Sequence, residues 1–192
     1  MKKIFLDVET TGVDIRKHSI HQISALIEID DEVVEEVNLF SRPHPKALYE
    51  PAALRICGKT EAELKAYPPM KQTHREFVAV LAKYVDKFVG KDKFHVAGFN
   101  NRAFDDPFMR VWFEQNGDDF FGSWFYPDSL DVMTLASEYL LDRRADMPSF
   151  KLKRVAREVG IDVDESKLHD ASYDVMLIRG VYRVVTGREV EI

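Results

Sequence analysis

Alternating apolar and polar positions in the first forty residues predict three β-strands. In "IFLDVETTG", residues 4–12, Ile4, Leu6 and Val8 fall on one face of a strand predicted over 3–8. Phe5, Asp7 and Glu9 fall on the opposite face, because successive strand side chains point to opposite sides. The segments 21–30 and 32–43 have the apolar content of two further strands, joined by an acidic turn at residues 30–31.

The rest of the chain predicts helices and one more strand. The segment 70–90 carries an apolar stripe at helical spacing and predicts one long amphipathic helix that includes Phe88. A fourth strand is predicted over 94–100. Further helices are predicted over 59–69, 103–117, 129–141, 149–160 and 170–187. Three consecutive strands followed by alternating helix and strand predict an α/β fold, with a mixed β-sheet flanked by α-helices in a single domain over 1–192.

Composition limits the class of protein. The chain has 192 residues, of which 45% are hydrophobic, and this is enough for one domain with its own core. Cys57 is the only cysteine, so an internal disulfide and a thiol-based zinc site are excluded. No apolar run approaches the ~20 residues that cross a bilayer. We therefore predict a cytoplasmic protein with no membrane partner.

The net charge of −6 argues against a high-affinity, non-specific nucleic-acid binder. A cluster of acids that holds cations would change this conclusion. Two bound divalent cations would add four positive charges and bring the balance from −6 to −2. The charge therefore weakens a nucleic-acid hypothesis without excluding it.

Acidic residues recur in pairs at three places, the first of them at Asp7 and Glu9. These two share a face of the first strand, where like charges repel unless a cation or a proton neutralises them. The alternative is an edge strand with both carboxylates in water, and the pattern alone favours neither interpretation.

The second and third pairs lie at predicted helix starts. Asp105 follows the end of the fourth strand, and it or Asp106 has an alternative role at the helix N-terminus. Asp170 and Asp174 are four residues apart and share a helical face. His169 lies at the same helix start, where the helix dipole disfavours the charged imidazole.

Three segments, "LDVETTG", "FNNRAFDDPF" and "LHDASYDVMLI", resemble the three motifs of the DnaQ-like (DEDDh) family of 3′–5′ exonucleases, in the same order. The resemblance extends from about residue 4 to about residue 180. It implies an RNase H-like fold, with the acids meeting at one edge of the sheet. It also implies the catalytic histidine His169 and the metal-binding, catalytic acids Asp7, Glu9, Asp105 and Asp174.

The resemblance also predicts substrate contacts. Thr10, Thr11 and Gly12 correspond to a loop whose backbone N–H groups reach the terminal nucleotide, and Asn101 is a further candidate contact. The second motif often has His-Asn where this chain has Asn100-Asn101. We expect this departure to alter substrate contacts without removing activity.

The chemistry of these side chains predicts the cofactor. Carboxylate oxygens without thiols suit Mg²⁺ or Mn²⁺, and two such ions about 4 Å apart can clamp a phosphodiester. One ion lowers the pKa of a water molecule and the other stabilises the leaving oxygen. His169 would accept the proton of the attacking water, a contribution of roughly 10²–10⁴ in rate.

The sequence therefore predicts a metal-dependent 3′–5′ exonuclease that releases nucleoside 5′-monophosphates from single-stranded 3′ ends. A DNA proofreading or repair enzyme is favoured; if the protein proofreads, its polymerase would be a separate protein. The alternatives are a small exoribonuclease that acts on short RNA and an inactive nucleic-acid-binding module on the same fold. An assay on labelled DNA and RNA distinguishes the three.

Other segments carry weaker signals. The aromatic stretch 120–127 suits the core, a homodimer face or base stacking. The basic segments 142–144 and 151–154 suit either phosphate contacts or solvated helix faces. The segment 53–60 matches a relaxed phosphate-loop pattern, which we reject because Ala53 replaces the required glycine. Thr60 is better interpreted as the start of a helix with a capping box.

Overall fold

A computed structural model of the chain describes residues 1–167 and 170–188. A five-stranded sheet lies at the centre of this described part, with the strand order β3-β2-β1-β4-β5. β1 pairs antiparallel with β2, and β2 with β3, whereas β1–β4 and β4–β5 are parallel. The strands are β1 (Lys2–Thr10), β2 (Ile20–Ile29), β3 (Glu32–Phe40), β4 (His95–Gly98) and β5 (Leu130–Asp131). The predicted mixed sheet is confirmed.

Helices cover both faces of the sheet. They are α1 (Pro51–Cys57), α2 (Glu61–Ala66), α3 (Met70–Leu81), α4 (Asp105–Gln115), α5 (Phe121–Trp124), α6 (Val132–Tyr139), α7 (Leu152–Glu158) and α8 (Ala171–Val185). Short 3₁₀ turns follow α6 and α7. This arrangement confirms the RNase H-like α/β architecture.

The two faces of β1 face different cores, as the alternation predicts. Ile4 packs in one apolar cluster with Phe77 of α3 and Trp112 of α4. Phe5 points to the other cluster, where its ring lies 5.4 Å from that of Tyr182 in α8. The face of β1 that carries Asp7 and Glu9 is therefore the face on which α8 lies.

The acidic turn between β2 and β3 is also where the sequence places it. Asp30 and Asp31 have φ of 51° and 72°. Two central residues with positive φ match the right-handed twist of a hairpin, and aspartate tolerates this region better than bulky residues do.

The predicted helix over 70–90 is wrong beyond Leu81, where α3 ends. Tight turns follow, and Phe88 is 87% exposed instead of lying in the apolar stripe. The stripe ends after Val85, which is still buried. Tertiary packing against the sheet, which sequence periodicity does not contain, decides where the burial stops.

Other element boundaries also differ from the prediction. α1 occupies a segment for which no helix was predicted; Pro51 occupies a first-turn position and the left-handed Gly58 ends the helix. The predicted helix over 129–141 begins only at Val132, because residues 130–131 form β5. The capping box at Thr60 is confirmed, since its hydroxyl accepts from the Glu63 N–H.

The aromatic stretch 120–127 belongs mostly to the core. Phe121, Trp124 and Phe125 are buried, whereas Phe120 is 62% exposed. Among the residues that the structure describes, no helix is both long and apolar enough to span a membrane.

Candidate active site

The site is built around the C-terminal half of β1. Parallel pairing with β4 covers only residues 3–5 of β1, so residues 7–9 extend past the last paired residues of β4. The N–H of Val8 donates to Oδ1 of Asp105 at 3.0 Å. The Asp105 side chain, at the start of α4, thus accepts the backbone hydrogen bond that a neighbouring strand would otherwise accept. This bond joins the second motif to the first.

α8 brings the third motif to the same place. The Asp170 side chain caps the helix by accepting from the Ser172 N–H at 2.9 Å. The Ser172 hydroxyl lies 3.4 Å from that of Ser24 on β2, the residue paired with Asp7 across the sheet. One turn into the helix, Asp174 faces β1.

Asp7, Glu9 and Asp174 converge. Each offers one carboxylate oxygen, and these oxygens all lie within 4.8 Å of one another. Asp7 and Asp174 are 167 positions apart along the chain, yet the three residues form one acidic cluster, which we call the carboxylate cluster. Asp105 does not contribute an oxygen to this mutually close set. Its residue is 3% exposed, and its carboxylate lies next to the cluster because it accepts a hydrogen bond from the N–H of Val8, between Asp7 and Glu9.

The carboxylate cluster is electrostatically strained without a cation. Burial, and then the charges of Asp105, Glu9 and Asp174, raise the pKa of Asp7 well above its usual range. Burial and the neighbouring acids Asp174, Asp105 and Asp170 raise the pKa of Glu9 to about 8. Burial also raises the pKa of Asp105 to about 7.

This donor set suits a hard divalent cation. The charges that act on Asp7 and Glu9 are negative, so a cation would favour the ionised carboxylates and relieve their repulsion. The ligand atoms are oxygens, as Mg²⁺ and Mn²⁺ prefer. Asp7, Glu9 and Asp174 are therefore the residues in the described part that could hold a metal together.

Asn101 and Asp106 form part of the frame of the site. The Asn101 amide donates to Oδ1 of Asp106 at 3.3 Å, and the Ser129 hydroxyl donates to Oδ2 at 2.5 Å. Asn101 is fully buried, and a Cβ on Gly98 would lie 2.6 Å from its Cβ. In this structure the Asn101 side chain supports Asp106, and its predicted contact with the substrate stays a prediction.

The side chains of the loop after β1 stabilise the loop itself. The Thr10 hydroxyl donates to the Gly12 carbonyl at 2.7 Å, and the Thr11 hydroxyl donates to the Leu48 carbonyl at 2.7 Å. A Cβ on Gly12 would lie 2.6 Å from the ring of His18, which explains the glycine. The predicted contact of this loop with a nucleotide stays a prediction.

One further predicted residue and two residues that the sequence did not indicate remain to be described. His169 lies outside the described residues, so its predicted catalytic role stays a prediction. The sequence did not indicate that the charge of Asp170 raises the pKa of Glu9, nor that the charge of Glu9 acts on Cys57. Burial raises the pKa of the Cys57 thiol, and the charge of Glu9 adds to this. No motif in "ALRICGKT" signals this electrostatic interaction.

Comparison with known proteins agrees with this fold. Among solved structures, the chain is similar to Exonuclease I of E. coli in its zinc-bound complex with single-stranded DNA, with 24% identity and a TM-score of 0.78 over 98% of this chain. Complexes of the same protein with dA16 and dT13 oligonucleotides match with 24% identity and TM-scores of 0.77 and 0.73, over 98% and 97% of this chain. This chain spans 41% of the length of each of those chains.

No curated protein matches the chain as a relative. A family model described as Exonuclease (RNase_T) matches residues 4–182, which contain all three motifs. The chain belongs to this RNase T/DnaQ-like exonuclease family.

Proposed function

We propose that the chain is a metal-dependent 3′–5′ exonuclease that removes nucleoside 5′-monophosphates from the ends of single-stranded DNA. The observation that carries this proposal is the carboxylate cluster, with oxygens from Asp7, Glu9 and Asp174 within 4.8 Å of one another. The cluster is built from the first and third motifs of a family to which the chain belongs.

The proposed cofactor is Mg²⁺ or Mn²⁺, with two ions held by Asp7, Glu9, Asp105 and Asp174. When bound, such ions activate water and stabilise the charge of the leaving oxygen. β1 holds Asp7 and Glu9 on one rigid face, so the chain fixes two ligands with little conformational entropy left to lose. Asp174 reaches the same point from α8, whereas Asp105, at the start of α4, lies beside the cluster and accepts from the Val8 N–H.

His169 is the proposed general base, on the strength of the family resemblance. The water oxygen forms a bond to phosphorus while its proton passes to the imidazole. The bond from phosphorus to the 3′ oxygen of the preceding nucleotide breaks, and that oxygen takes up a proton. The products are a nucleoside 5′-monophosphate and a strand that is shorter by one nucleotide.

DNA is favoured over RNA as the substrate because the matched structures are complexes of Exonuclease I with single-stranded DNA. A small exoribonuclease remains the second candidate. An inactive binding module is disfavoured because such a module would not need to retain the acids at 7, 9, 105 and 174. Asp105 and Asp174 raise the pKa of both Asp7 and Glu9, which costs stability in the absence of a cation.

The test is hydrolysis of 5′-labelled single-stranded DNA and RNA oligonucleotides with Mg²⁺, with Mn²⁺ and with chelator. We expect ladders that shorten from the 3′ end on DNA and stop with chelator. Asp7→Ala should be inactive, whereas the control Asp142→Ala, at an exposed aspartate, should match the wild type. Intact DNA and RNA in every lane would overturn the proposal, and a ladder on RNA alone would favour the second candidate.

A further inference from the structure

A groove of about 660 Å³ opens between the proline-containing segment after β3 and α2. The mechanism proposed above gives its residues no role. Its size falls in the range of pockets that hold ligands the size of one or more nucleotides. The side chains that matter for its chemistry are Arg42, His44, Leu48, Tyr49, Glu61 and Lys65.

Hydrogen bonds hold one edge of the groove against the loop that follows β1. Leu48 lies on the edge of the groove, and its carbonyl oxygen accepts a hydrogen bond from the Thr11 hydroxyl. The Glu50 N–H donates to the Thr11 carbonyl at 2.8 Å. The Leu48 N–H donates to the Lys17 carbonyl at 2.7 Å, which adds a third tie to the same loop. Thr11 is two residues beyond Glu9, at most about 7 Å along an extended chain. The segment that lines the groove therefore lies within a few residues' reach of the carboxylate cluster, on the side of the loop after β1.

The groove combines an aromatic ring with basic side chains. Tyr49 is half-buried, and the Lys65 ammonium lies 5.7 Å from its ring centroid. Arg42 is exposed, and Leu48 is 57% exposed. Lys65 pairs with Glu61, the one acid of the lining, so Arg42 is the excess positive charge of the groove on a chain whose net charge is −6.

His44 adds a ring N–H donor to this lining. Its Nδ1 accepts from the Lys46 N–H at 3.2 Å, which places the ring proton on Nε2. An aromatic ring beside cations and donors is the combination with which proteins bind single strands, by stacking bases and pairing phosphates.

We propose that this groove binds the nucleotides upstream of the 3′-terminal one in a single strand, with a base stacked on Tyr49 and the phosphate backbone along Arg42 and Lys65. The inference rests on the proposed exonuclease function and extends it, because it assigns a path to the part of the substrate that is not cleaved. A peptide or a second copy of this chain is the competing occupant. A polyanion fits the basic lining better than either of them.

The first test compares long and short ligands. The dissociation constant of a six-nucleotide DNA strand and that of thymidine 5′-monophosphate are measured by fluorescence competition in chelator. Loss of one base stack costs about 1–3 kcal/mol, so Tyr49→Ala should raise the constant for the six-mer about 5- to 150-fold. The constant for the mononucleotide should stay within about twofold, since the mononucleotide does not reach the groove.

Tyr49→Phe keeps the ring and should match the wild type, which separates stacking from misfolding. Tyr139→Ala, at a tyrosine on α6 that is 52% exposed, is the control for loss of an exposed aromatic. Equal six-mer constants for the wild type and Tyr49→Ala, or parallel weakening of both ligands, would overturn the proposal.

The second test uses salt. Each phosphate contact on a single strand contributes about 0.7 to the slope of log Kd against log salt. Lys65→Ala should lower the slope by about this amount. Lys83→Ala is the matched control, because Lys65 and Lys83 are 59% and 54% exposed and each pairs with a glutamate. Equal slopes for the two variants would count against a phosphate contact at Lys65.

These outcomes separate the groove from the function. Hydrolysis of DNA together with unchanged binding in Tyr49→Ala would refute the groove alone. Absence of hydrolysis together with weakened six-mer binding in Tyr49→Ala would refute the exonuclease and leave a strand-binding groove. Concentration-dependent dimerisation that Tyr49→Ala abolishes, without an effect on DNA binding, would assign the groove to a second copy.

Discussion

Glu9→Gln should stabilise the metal-free protein near neutral pH. The pKa of Glu9 is raised from 4.5 to about 8 by burial and by the acids around it. An acid with a raised pKa keeps its proton in the folded state and loses it on unfolding. The unfolded state therefore binds fewer protons between pH 4.5 and 8, and stability falls as the pH rises through this window.

The magnitude follows from this pKa. Each unit of difference is worth about 1.36 kcal/mol, so at pH 7 the penalty from Glu9 alone reaches roughly 3 kcal/mol. Glutamine has nearly the same shape as the protonated acid and does not ionise, so the variant avoids this penalty. For a chain of this size, 1 kcal/mol shifts Tm by about 2–4 °C, which gives a rise of roughly 6–12 °C at pH 7.

The assay is thermal unfolding in chelator at pH 5, 6, 7 and 8. The difference in Tm between Glu9→Gln and the wild type should be small at pH 5 and should grow towards pH 8. Glu36→Gln, at an exposed position on β3, is the control and should match the wild type. Mn²⁺ should reverse the order, because the wild type gains stability from a ligand that the variant binds poorly. A variant that is no more stable than the wild type in chelator at pH 8 would refute the electrostatic argument.

Further predictions concern activity and packing. Asp7→Ala should abolish hydrolysis while circular dichroism shows a folded protein, because removing one acid relieves repulsion. His169→Ala should retain metal binding by calorimetry and slow turnover by roughly 10²–10⁴; loss of the metals instead would exclude a base role. Glu28→Ala should lower the free energy of unfolding by about 1.5–3 kcal/mol in urea titrations, because the buried Lys3 ammonium keeps Asp31 but loses its charged bond to Glu28, to which Arg179 also donates; an unchanged midpoint would contradict this. Gly12→Ala should reduce kcat/KM, since its Cβ would collide with the ring of His18, and wild-type kinetics would show that the loop adapts.

Short-range features of this protein follow from its sequence. The alternation along β1 sets Asp7 and Glu9 on one face because the strand period is two residues, whatever the rest of the chain does. The capping box at Thr60 and the acidic turn at residues 30–31 depend on a few neighbouring residues, and both are confirmed. The three motifs are also short local patterns, and they were enough to predict the family. The family model that matches residues 4–182 confirms this prediction.

Long-range features needed the folded chain. The meeting of Asp174 with β1 depends on how α8 lies across the sheet, and the bond from Val8 to Asp105 exists because β4 stops short of that point. The end of the buried stripe before Phe88 depends on where the sheet ends. The groove at Tyr49 arises where a prolyl segment passes α2, and no local pattern encodes that passage. Local periodicity fixes which way a side chain points from its own element, whereas contacts between elements far apart in sequence depend on the packing free energy of the whole chain, which only the tertiary structure reveals.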